Sequence, residues 1–238
     1  MGFLLLLMSM FAFSEETLWE TFKKDMASPV TTKAKTTTIY ASATSLTFIV
    51  FEDALNDQTE DEVAKERPLG RASKIGDLAG QMIPNALYAI GMYANYYFTE
   101  NKESLSRTKL MLKSSFYSGL VVSVLKYTVR EPRPNNRESR NSFPSGHTAS
   151  AFAFASVVGA EHGLYYGTAA YALAALVGFS RMNDNKHYMH DVISGASIGL
   201  MYGLGLYYRK EETEKENDVA LVPVIVPGYA GASAVYYF

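Results

Sequence analysis

The sequence predicts an all-α protein, a bundle of about six helices followed by a short β-hairpin. Six apolar stretches carry small side chains at positions i, i+3 and i+4, a spacing that favours helices over strands in runs of this length. The stretches lie at 36–51, 75–98, 109–129, 147–160, 163–179 and 190–208. Clusters of Gly, Pro and charged residues separate them, as expected of turns. Because the chain has 238 residues and no linker-like segment in its middle, we expect one helical domain.

The two ends of the chain differ from this helical middle. Residues 2–13 form an apolar run with the length of a signal-peptide core, and a polar segment follows it. We therefore expect residues 1–14 to be an export signal or an N-terminal apolar segment. Because no Lys or Arg precedes the run, a membrane anchor or a buried helix is the alternative. Residues 15–209 are expected to form the helical domain, and residues 210–238 a charged connector and a β-hairpin tail.

The hairpin is predicted from two runs rich in Val, Ala and Tyr, at 220–226 and 232–238, separated by the turn-forming residues 227–231. Pro223 lies inside the first run and limits it to an edge strand. An isolated hairpin is marginally stable in water, so this one is expected to dock on the bundle or to pair with another chain.

The sequence is compatible with two environments for the helices. A helix that spans a bilayer needs about 20 mostly apolar residues. Only 163–179 and 192–208 approach that length, and the third stretch carries Lys113 while the second carries Asn85. These features favour a bundle whose buried helices are apolar on most faces. An integral six-helix protein is the alternative.

Composition excludes several classes of function. The net charge of −2 gives no basis for nucleic-acid binding. The chain has no cysteine, which excludes disulfides, thiolate metal sites and cysteine nucleophiles. Any chemistry must therefore use other side chains.

The first segment that could carry chemistry is Pro144-Ser145-Gly146-His147, directly before an apolar helix. Ser145 is the expected N-cap, and Gly146 allows the backbone to approach a ligand closely. Free N–H groups at the start of the helix attract an anion. His147 could donate a proton to a ligand bound there. For this segment alone, a capped helix start with an incidental histidine is the alternative.

The second segment is His187-Tyr188-Met189-His190-Asp191. His187 and Asp191 are four residues apart, so they share one face of a helix. A carboxylate on one ring nitrogen fixes the tautomer and leaves the other nitrogen available as a nucleophile or base. His190 is adjacent to Asp191 and points elsewhere on a helix, so it ranks second. Solvated histidines at a polar helix start are the alternative.

We expect no metal at this second segment. Its two histidines, with Asp184 and Asp191, do not have the spacing of a familiar pair of histidine ligands on one helical face. The neighbouring cations Arg181 and Lys186 would also oppose a metal ion.

Three cations stand where apolar stretches end or just beyond. Lys126 ends one stretch, Arg133 follows it beyond a proline-containing turn, and Arg181 ends another. Arginine holds phosphate oxygens with a planar fork, and lysine acts as a point charge. Solvated cations at helix ends are the alternative for each residue taken singly.

The order and spacing of these residues resemble the three-part signature of the type 2 phosphatidic acid phosphatase and vanadium haloperoxidase superfamily. Six residues separate Lys126 from Arg133-Pro134, the segment Pro144–His147 follows, and five residues separate Ser180-Arg181 from His187, with Asp191 three residues beyond it. The resemblance spans 36–208 and is strongest over 126–195. It implies a helical core of about six helices and metal-independent chemistry without a cofactor.

The resemblance also implies a role for each residue. His187 would attack phosphorus and form a phosphohistidine, Asp191 would orient His187, and His147 would protonate the leaving oxygen and then activate water. The residues that would hold the phosphoryl oxygens are Lys126, Arg133, Ser145, Gly146 and Arg181.

The expected function is that of a phosphatase acting on a phosphomonoester or diphosphate, with a lipid phosphate or polyprenyl diphosphate favoured. A soluble periplasmic acid phosphatase acting on small esters is the alternative, and a vanadate-dependent haloperoxidase is a third possibility. The expected partners are a phosphorylated lipid or small phosphate ester and a membrane surface, with no nucleic acid. The expected location is outside the bacterial cytoplasm, periplasmic or on the membrane, with the active site facing the periplasm.

Overall fold

The computed structural model describes residues 17–51, 62–217, 219–226 and 229–236, with side chains up to residue 214. The predicted N-terminal segment 1–14 lies outside these ranges. The principal helices are α1 (Leu18–Thr31), α2 (Lys35–Val50), α3 (Ser73–Gly80), α4 (Ile83–Thr99), α5 (Lys102–Val129), α6 (Gly146–His162), α7 (Leu164–Asn183) and α8 (Met189–Asn217). Residues 62–66 are also helical, and Gly70–Ala72 form a short 3-10 turn. The predicted helical bundle is confirmed.

The helices differ from the prediction most clearly within the second predicted stretch. The second predicted stretch, 75–98, is divided into α3 and α4, because Met82 adopts a left-handed conformation (φ 65°) that no helix can continue through. Pro84 then lies in the first turn of α4, where its missing N–H is tolerated. The polar segment after the predicted signal forms α1, whose N-cap is Thr17.

Small residues determine how closely the central helices approach. A Cβ at Gly199 of α8 would lie 2.4 Å from the carbonyl oxygen of Ala149 in α6, and one at Gly203 would lie 2.4 Å from the Cβ of Ser156. Backbones this close exclude larger side chains at these positions. The buried core around this contact is formed by Leu110, Met111, Tyr117, Val122, Ala149, Val157, Ala174, Val177, Ile198 and Tyr202.

A buried ion cluster fixes α1 against α5 and α8. Asp25 of α1 is 1% exposed, and its carboxylate contacts Lys113 Nζ (2.8 Å) and Arg209 Nε (2.7 Å). The hydroxyl of Tyr117 donates to the same carboxylate at 3.2 Å. A buried charge is tolerated only when it is paired and hydrogen-bonded, so these contacts specify where α1 docks.

The tail contains two strands, β1 (Val219–Val226) and β2 (Tyr229–Tyr236), which pair antiparallel with Val219 opposite Tyr236 and Val226 opposite Tyr229. The second strand begins three residues before the predicted position, so the predicted five-residue turn was too long. The predicted domain boundary at 209 falls inside α8, which continues to Asn217. The division of the chain into domains stays a prediction.

Within the helices of 17–51 and 62–217, none combines the length and the apolar character needed to cross a membrane.

The contact between α8 and α6 can be tested by substitution. We expect Gly199→Ala to lower the free energy of unfolding by about 1–3 kcal/mol, because the added Cβ meets backbone atoms that cannot rotate away. Gly91→Ala in α4 is the matched control, since nothing lies within 4 Å of its Cβ position. That control should leave stability unchanged or raise it by about 0.5–1 kcal/mol. Urea denaturation measures both, and equal stability of the two variants would contradict the close contact.

Candidate active site

The predicted chemistry-bearing segments meet at one end of the bundle, where α5 ends, α6 begins and α7 connects to α8. The backbone N–H of Ser145 donates to the backbone oxygen of Asp191 at 3.0 Å, and Lys126 Nζ donates to the carbonyl oxygen of Ser142 at 3.0 Å. A Cβ at Gly195 of α8 would lie 2.4 Å from the carbonyl oxygen of Ser145, so this approach requires glycine. Segments distant in sequence therefore form one site.

The centre of the site is the pair His187 and Asp191. Nδ1 of His187 lies 3.2 Å from Oδ2 of Asp191, and the two side chains are almost completely buried. The same carboxylate oxygen accepts hydrogen bonds from the Ser142 hydroxyl (2.6 Å) and the backbone N–H of Tyr188 (3.0 Å). Because Nδ1 faces the carboxylate, Nε2 is the nitrogen that can act as a nucleophile.

The electrostatics of this pair suit a neutral imidazole beside an ionised carboxylate. Burial lowers the pKa of His187 to about 4, although the contact with Asp191 acts in the opposite direction. Burial alone would raise the pKa of Asp191, but the hydrogen bonds from His187 and Ser142 outweigh it and hold that pKa below its ordinary value. At neutral pH the ring therefore keeps its lone pair.

Ser142 is a site residue that sequence reasoning missed. It is fully buried, its hydroxyl donates to Asp191, and its oxygen lies 3.4 Å from Nδ1 of His187. It stands three residues before Ser145, and no periodicity or spacing in the sequence distinguishes it from the other polar residues of that loop.

A second cluster joins His147 and Arg181 through Asp77 of α3, which was not predicted. Nη1 of Arg181 donates to Oδ1 of Asp77, and Nε2 of His147 lies 3.3 Å from the same oxygen. Burial lowers the pKa of His147 to about 4, and the nearby Arg181, Arg133 and Lys126 act in the same direction, whereas Asp77 opposes them. In the absence of a bound anion His147 is therefore neutral at pH 7.

Lys126 and Arg133 approach the site from the end of α5 and the loop after it. Lys126 Nζ donates to the carbonyl oxygens of Asn141 and Ser142, and Arg133 Nε donates to the side-chain oxygen of Asn141 at 2.7 Å. Burial lowers the pKa of Lys126 to about 8, and the positive charge of Arg133 contributes to this shift. Both cations are close enough to influence the charge state of His147.

The start of α6 has the predicted cap. Ser145 is the N-cap, its hydroxyl oxygen accepts from the N–H of Thr148, and Gly146 is the first residue of the helix. The Ser145 side chain is fully buried and also accepts from the hydroxyl of Thr148 at 2.9 Å. A Cβ at Gly146 would meet only Val122, at 3.6 Å. The direct role of Ser145 in binding phosphate stays a prediction.

His190, which the sequence ranked second, points away from the predicted nucleophile. Its Nε2 lies 3.0 and 3.1 Å from the carboxylate oxygens of Glu131, and its ring stacks on those of Phe143 and Tyr188. This buried ring thus links the loop after α5 to the start of α8.

One group of side chains could in principle hold a metal ion. Among the described residues, Glu131, His190 and Asp191 each place one ligand atom within 4.8 Å of the others. The hydrogen-bond distance between His190 and Glu131 accounts for this arrangement without a metal.

Comparisons with known proteins agree with the fold. LpxE from Aquifex aeolicus superposes with a TM-score of 0.53 at 24% identity, covering 65% of this chain and 96% of that one. A transmembrane PAP2 type phosphatidylglycerolphosphate phosphatase from Bacillus subtilis superposes with a TM-score of 0.52 at 22% identity, covering 74% and 96%. The helical fold of this chain is thus similar to the folds of these two proteins.

Sequence comparison gives the same family. Residues 107–214 match the model of the PAP2 superfamily. A lipid A 1-phosphatase from Porphyromonas gingivalis is 40% identical over 88 residues, which are 36% of this chain and 20% of that protein. The chain thus spans about a fifth of the length of this curated relative. The resemblance found in the sequence is confirmed.

The charge of Lys126 gives a prediction of pH dependence. Because its pKa is about 8, the ammonium group loses its proton as the pH rises through that value, and affinity for inorganic phosphate should fall. Lys126→Arg keeps its charge at every accessible pH. The inhibition constant for phosphate is measured from pH 7 to 9 for the wild type and for Lys126→Arg. The ratio of the two constants removes the effect of the ionisation of phosphate, because that effect is the same for both proteins. Parallel curves for the two proteins would contradict the low pKa of Lys126.

Proposed function

We propose that this protein is a metal-independent phosphatase that hydrolyses a phosphomonoester or diphosphate through a phosphohistidine on His187. The observation that carries the proposal is the buried contact between His187 Nδ1 and Asp191, with a lysine and two arginines nearby. An oriented neutral imidazole next to cations suits attack on an anionic phosphoryl group.

In the first step, Nε2 of His187 bonds to phosphorus as the bond from phosphorus to the leaving oxygen breaks. The proton of His147 passes to that oxygen. Asp191 accepts the hydrogen bond of Nδ1–H and offsets the positive charge on the phosphorylated ring. The leaving group departs as an alcohol or, from a diphosphate, as a phosphate.

In the second step, neutral His147 accepts a proton from water, and the water oxygen bonds to phosphorus as the bond to His187 breaks. Inorganic phosphate leaves, and both histidines return to their starting states. In both steps the oxygens and their developing charge are held by Lys126, Arg133, Arg181, Ser145 and the N–H of Gly146.

The negative charge of the bound substrate allows His147 to act as the acid. His147 has a pKa of about 4 without a ligand, so alone it would be a poor proton donor at neutral pH. A phosphoryl dianion adds negative charge among the cations and raises the pKa of the imidazole. Binding of the substrate and protonation of His147 are therefore coupled.

Exposed apolar side chains support a lipid phosphate as the substrate. On α4, Leu87 and Ile90 are 64% and 65% exposed, and at the start of α7 Leu164 and Tyr165 are 87% and 83% exposed. Apolar surface of this extent is unusual for a protein surrounded only by water and suits contact with lipid. The relatives named for lipid A 1-phosphatase and phosphatidylglycerolphosphate phosphatase activities support the same class.

We also propose that the protein acts outside the cytoplasm, at a membrane surface, with the site facing the periplasm. The apolar run of residues 2–13 supports export. The oligomeric state does not enter the proposal.

The nucleophile is tested by His187→Ala. Turnover should fall by about 10³-fold or more because no other group can replace the attacking nitrogen. Affinity for inorganic phosphate should largely persist because the cations remain. His190→Ala is the matched control, since it removes another buried histidine beside Asp191, and it should retain turnover well above the level of His187→Ala. Full activity of His187→Ala would contradict the phosphohistidine.

The substrate class is tested by comparing p-nitrophenyl phosphate with phosphatidic acid and a polyprenyl diphosphate in detergent micelles. We expect kcat/KM to be at least about tenfold higher for a lipid substrate, because apolar surface of the protein can contact the lipid chains and add binding energy. EDTA should leave all rates unchanged. Preference for the small ester would favour a soluble acid phosphatase, and loss of activity in EDTA would contradict metal independence.

A further inference from the structure

The carboxylate of Asp77 lies between two groups to which the proposed function gives separate tasks. Its Oδ1 accepts from Nη1 of Arg181 and lies 3.3 Å from Nε2 of His147. Its Oδ2 accepts from Nε2 of Gln81, one helical turn further along, at 3.2 Å. The carboxylate is therefore held on both oxygens. It lies outside every sequence segment that predicted the site.

Helix α3 is packed against the site closely enough to fix this position. A Cβ at Gly76 would lie 2.3 Å from Oγ of Ser180, the residue before Arg181. A Cβ at Gly80 would lie 2.7 Å from the Cβ and Cδ2 atoms of His147. These two glycines, one residue before and three residues after Asp77, allow the backbone of α3 to approach His147 and the residue before Arg181.

Asp77 binds only one nitrogen of the Arg181 guanidinium, so another edge of the group can bind a ligand. Arg181 is 4% exposed, its Nη1 binds Asp77, and its Nε is buried without a hydrogen-bond partner among the described residues. A guanidinium can bind two oxygens in parallel along one edge. A carboxylate on Nη1 fixes the plane of the group while the edge that contains Nε remains available to phosphoryl oxygens.

The contact of Asp77 with His147 affects whether the imidazole ring is protonated. Nε2 of His147 is buried and is 3.3 Å from Asp77 without the alignment of a hydrogen bond. The charged groups that face this ring are Arg181, Arg133 and Lys126, which disfavour the imidazolium, and Asp77, the carboxylate that favours it. Asp77 thus supplies the negative charge that partly balances three cations around the proposed acid.

We propose that Asp77 is a positioning residue that holds the guanidinium of Arg181 and keeps His147 oriented as the proton donor. The proposal rests on the proposed function and adds to it a residue that acts through two others. It needs no contact between Asp77 and the substrate.

The test compares Asp77→Asn with the wild type on two esters, p-nitrophenyl phosphate and an alkyl phosphate. The aryl ester has a good leaving group and needs little help from an acid, whereas the alkyl ester depends on one. We expect kcat to fall about 10- to 100-fold more for the alkyl phosphate. The alkaline limb of its kcat profile should also move to lower pH, because the variant lowers the pKa of His147, which must be protonated to act.

A double-mutant cycle shows whether the effect passes through His147. In the His147→Ala background, Asp77→Asn should no longer change the ratio of the two kcat values. Glu103→Gln is the matched control, since it also removes a carboxylate from an arginine pair, with Arg107, in a different part of the bundle. It should leave the ratio and the pH profile unchanged.

A pair of glycine variants tests the packing that places the carboxylate. Gly80→Ala should reproduce the selective loss with the alkyl ester, because the added methyl group pushes α3 away from His147 while Asp77 is retained. Gly91→Ala, at an open position of α4, should behave as the wild type.

An equal loss on both esters, or no loss, would overturn the role of Asp77. A gain in affinity for inorganic phosphate would also overturn it, because it would mean that the carboxylate competes with the substrate for Arg181. These outcomes are distinct from a failure of the proposed function, in which the wild type would hydrolyse neither ester or His187→Ala would remain fully active.

Discussion

The site depends on the buried carboxylate of Asp191 and the groups that bind it. A carboxylate without exposure to solvent is costly unless it is hydrogen-bonded, and three donors meet its Oδ2, whereas its Oδ1 has no hydrogen-bond partner among the described residues. Two come from the connection before α8, Nδ1 of His187 and the N–H of Tyr188, and the third is Ser142 from the loop before α6. One side chain thus orients the proposed nucleophile and joins two loops that are far apart in sequence.

The backbone of the same residue extends this constraint to the start of α6. The carbonyl oxygen of Asp191 accepts from the N–H of Ser145, and Gly195, one turn along α8, brings the helix against the carbonyl of Ser145. The N-terminus of α6 is therefore fixed relative to His187 through a hydrogen bond and a close backbone contact. A rigid arrangement of this kind is what transfer of a phosphoryl group requires, because most of the catalysis comes from positioning and electrostatics.

Local rules were sufficient for the part of the site that lies within single segments. The contact of His187 with Asp191 was predicted, although His187 lies in the connection before α8 and not on one helix face with Asp191. Ser145 before an apolar run predicts the helix cap. Ser142, Glu131 and Asp77 were not predicted because each meets its partner only through tertiary packing. Asp77 and Arg181 are 104 residues apart in the sequence. They meet only because the face of α3 that carries Asp77 packs towards α7.

The break between α3 and α4 was missed for a related reason. A left-handed conformation is expected at glycine or asparagine, and position 82 is a methionine. Pro84 is as compatible with a kinked helix as with the start of a new one. The break nevertheless separates α3 from α4, and α3 alone delivers Asp77 to the site. A conformation that local propensity disfavours thus stands beside the helix that carries the proposed positioning residue.

The electrostatics of the site explain why these residues belong together. Both predicted catalytic histidines have pKa values of about 4, and Lys126 has a pKa of about 8, because burial disfavours the protonated forms of these three groups. A dianionic phosphoryl group reverses this balance, because it favours the protonated forms of Lys126 and His147 together. His187 differs from His147 because Asp191 occupies its Nδ1, which leaves the lone pair of Nε2 for phosphorus. The arrangement therefore separates a nucleophile from an acid by environment alone, although both are histidines with the same ordinary pKa.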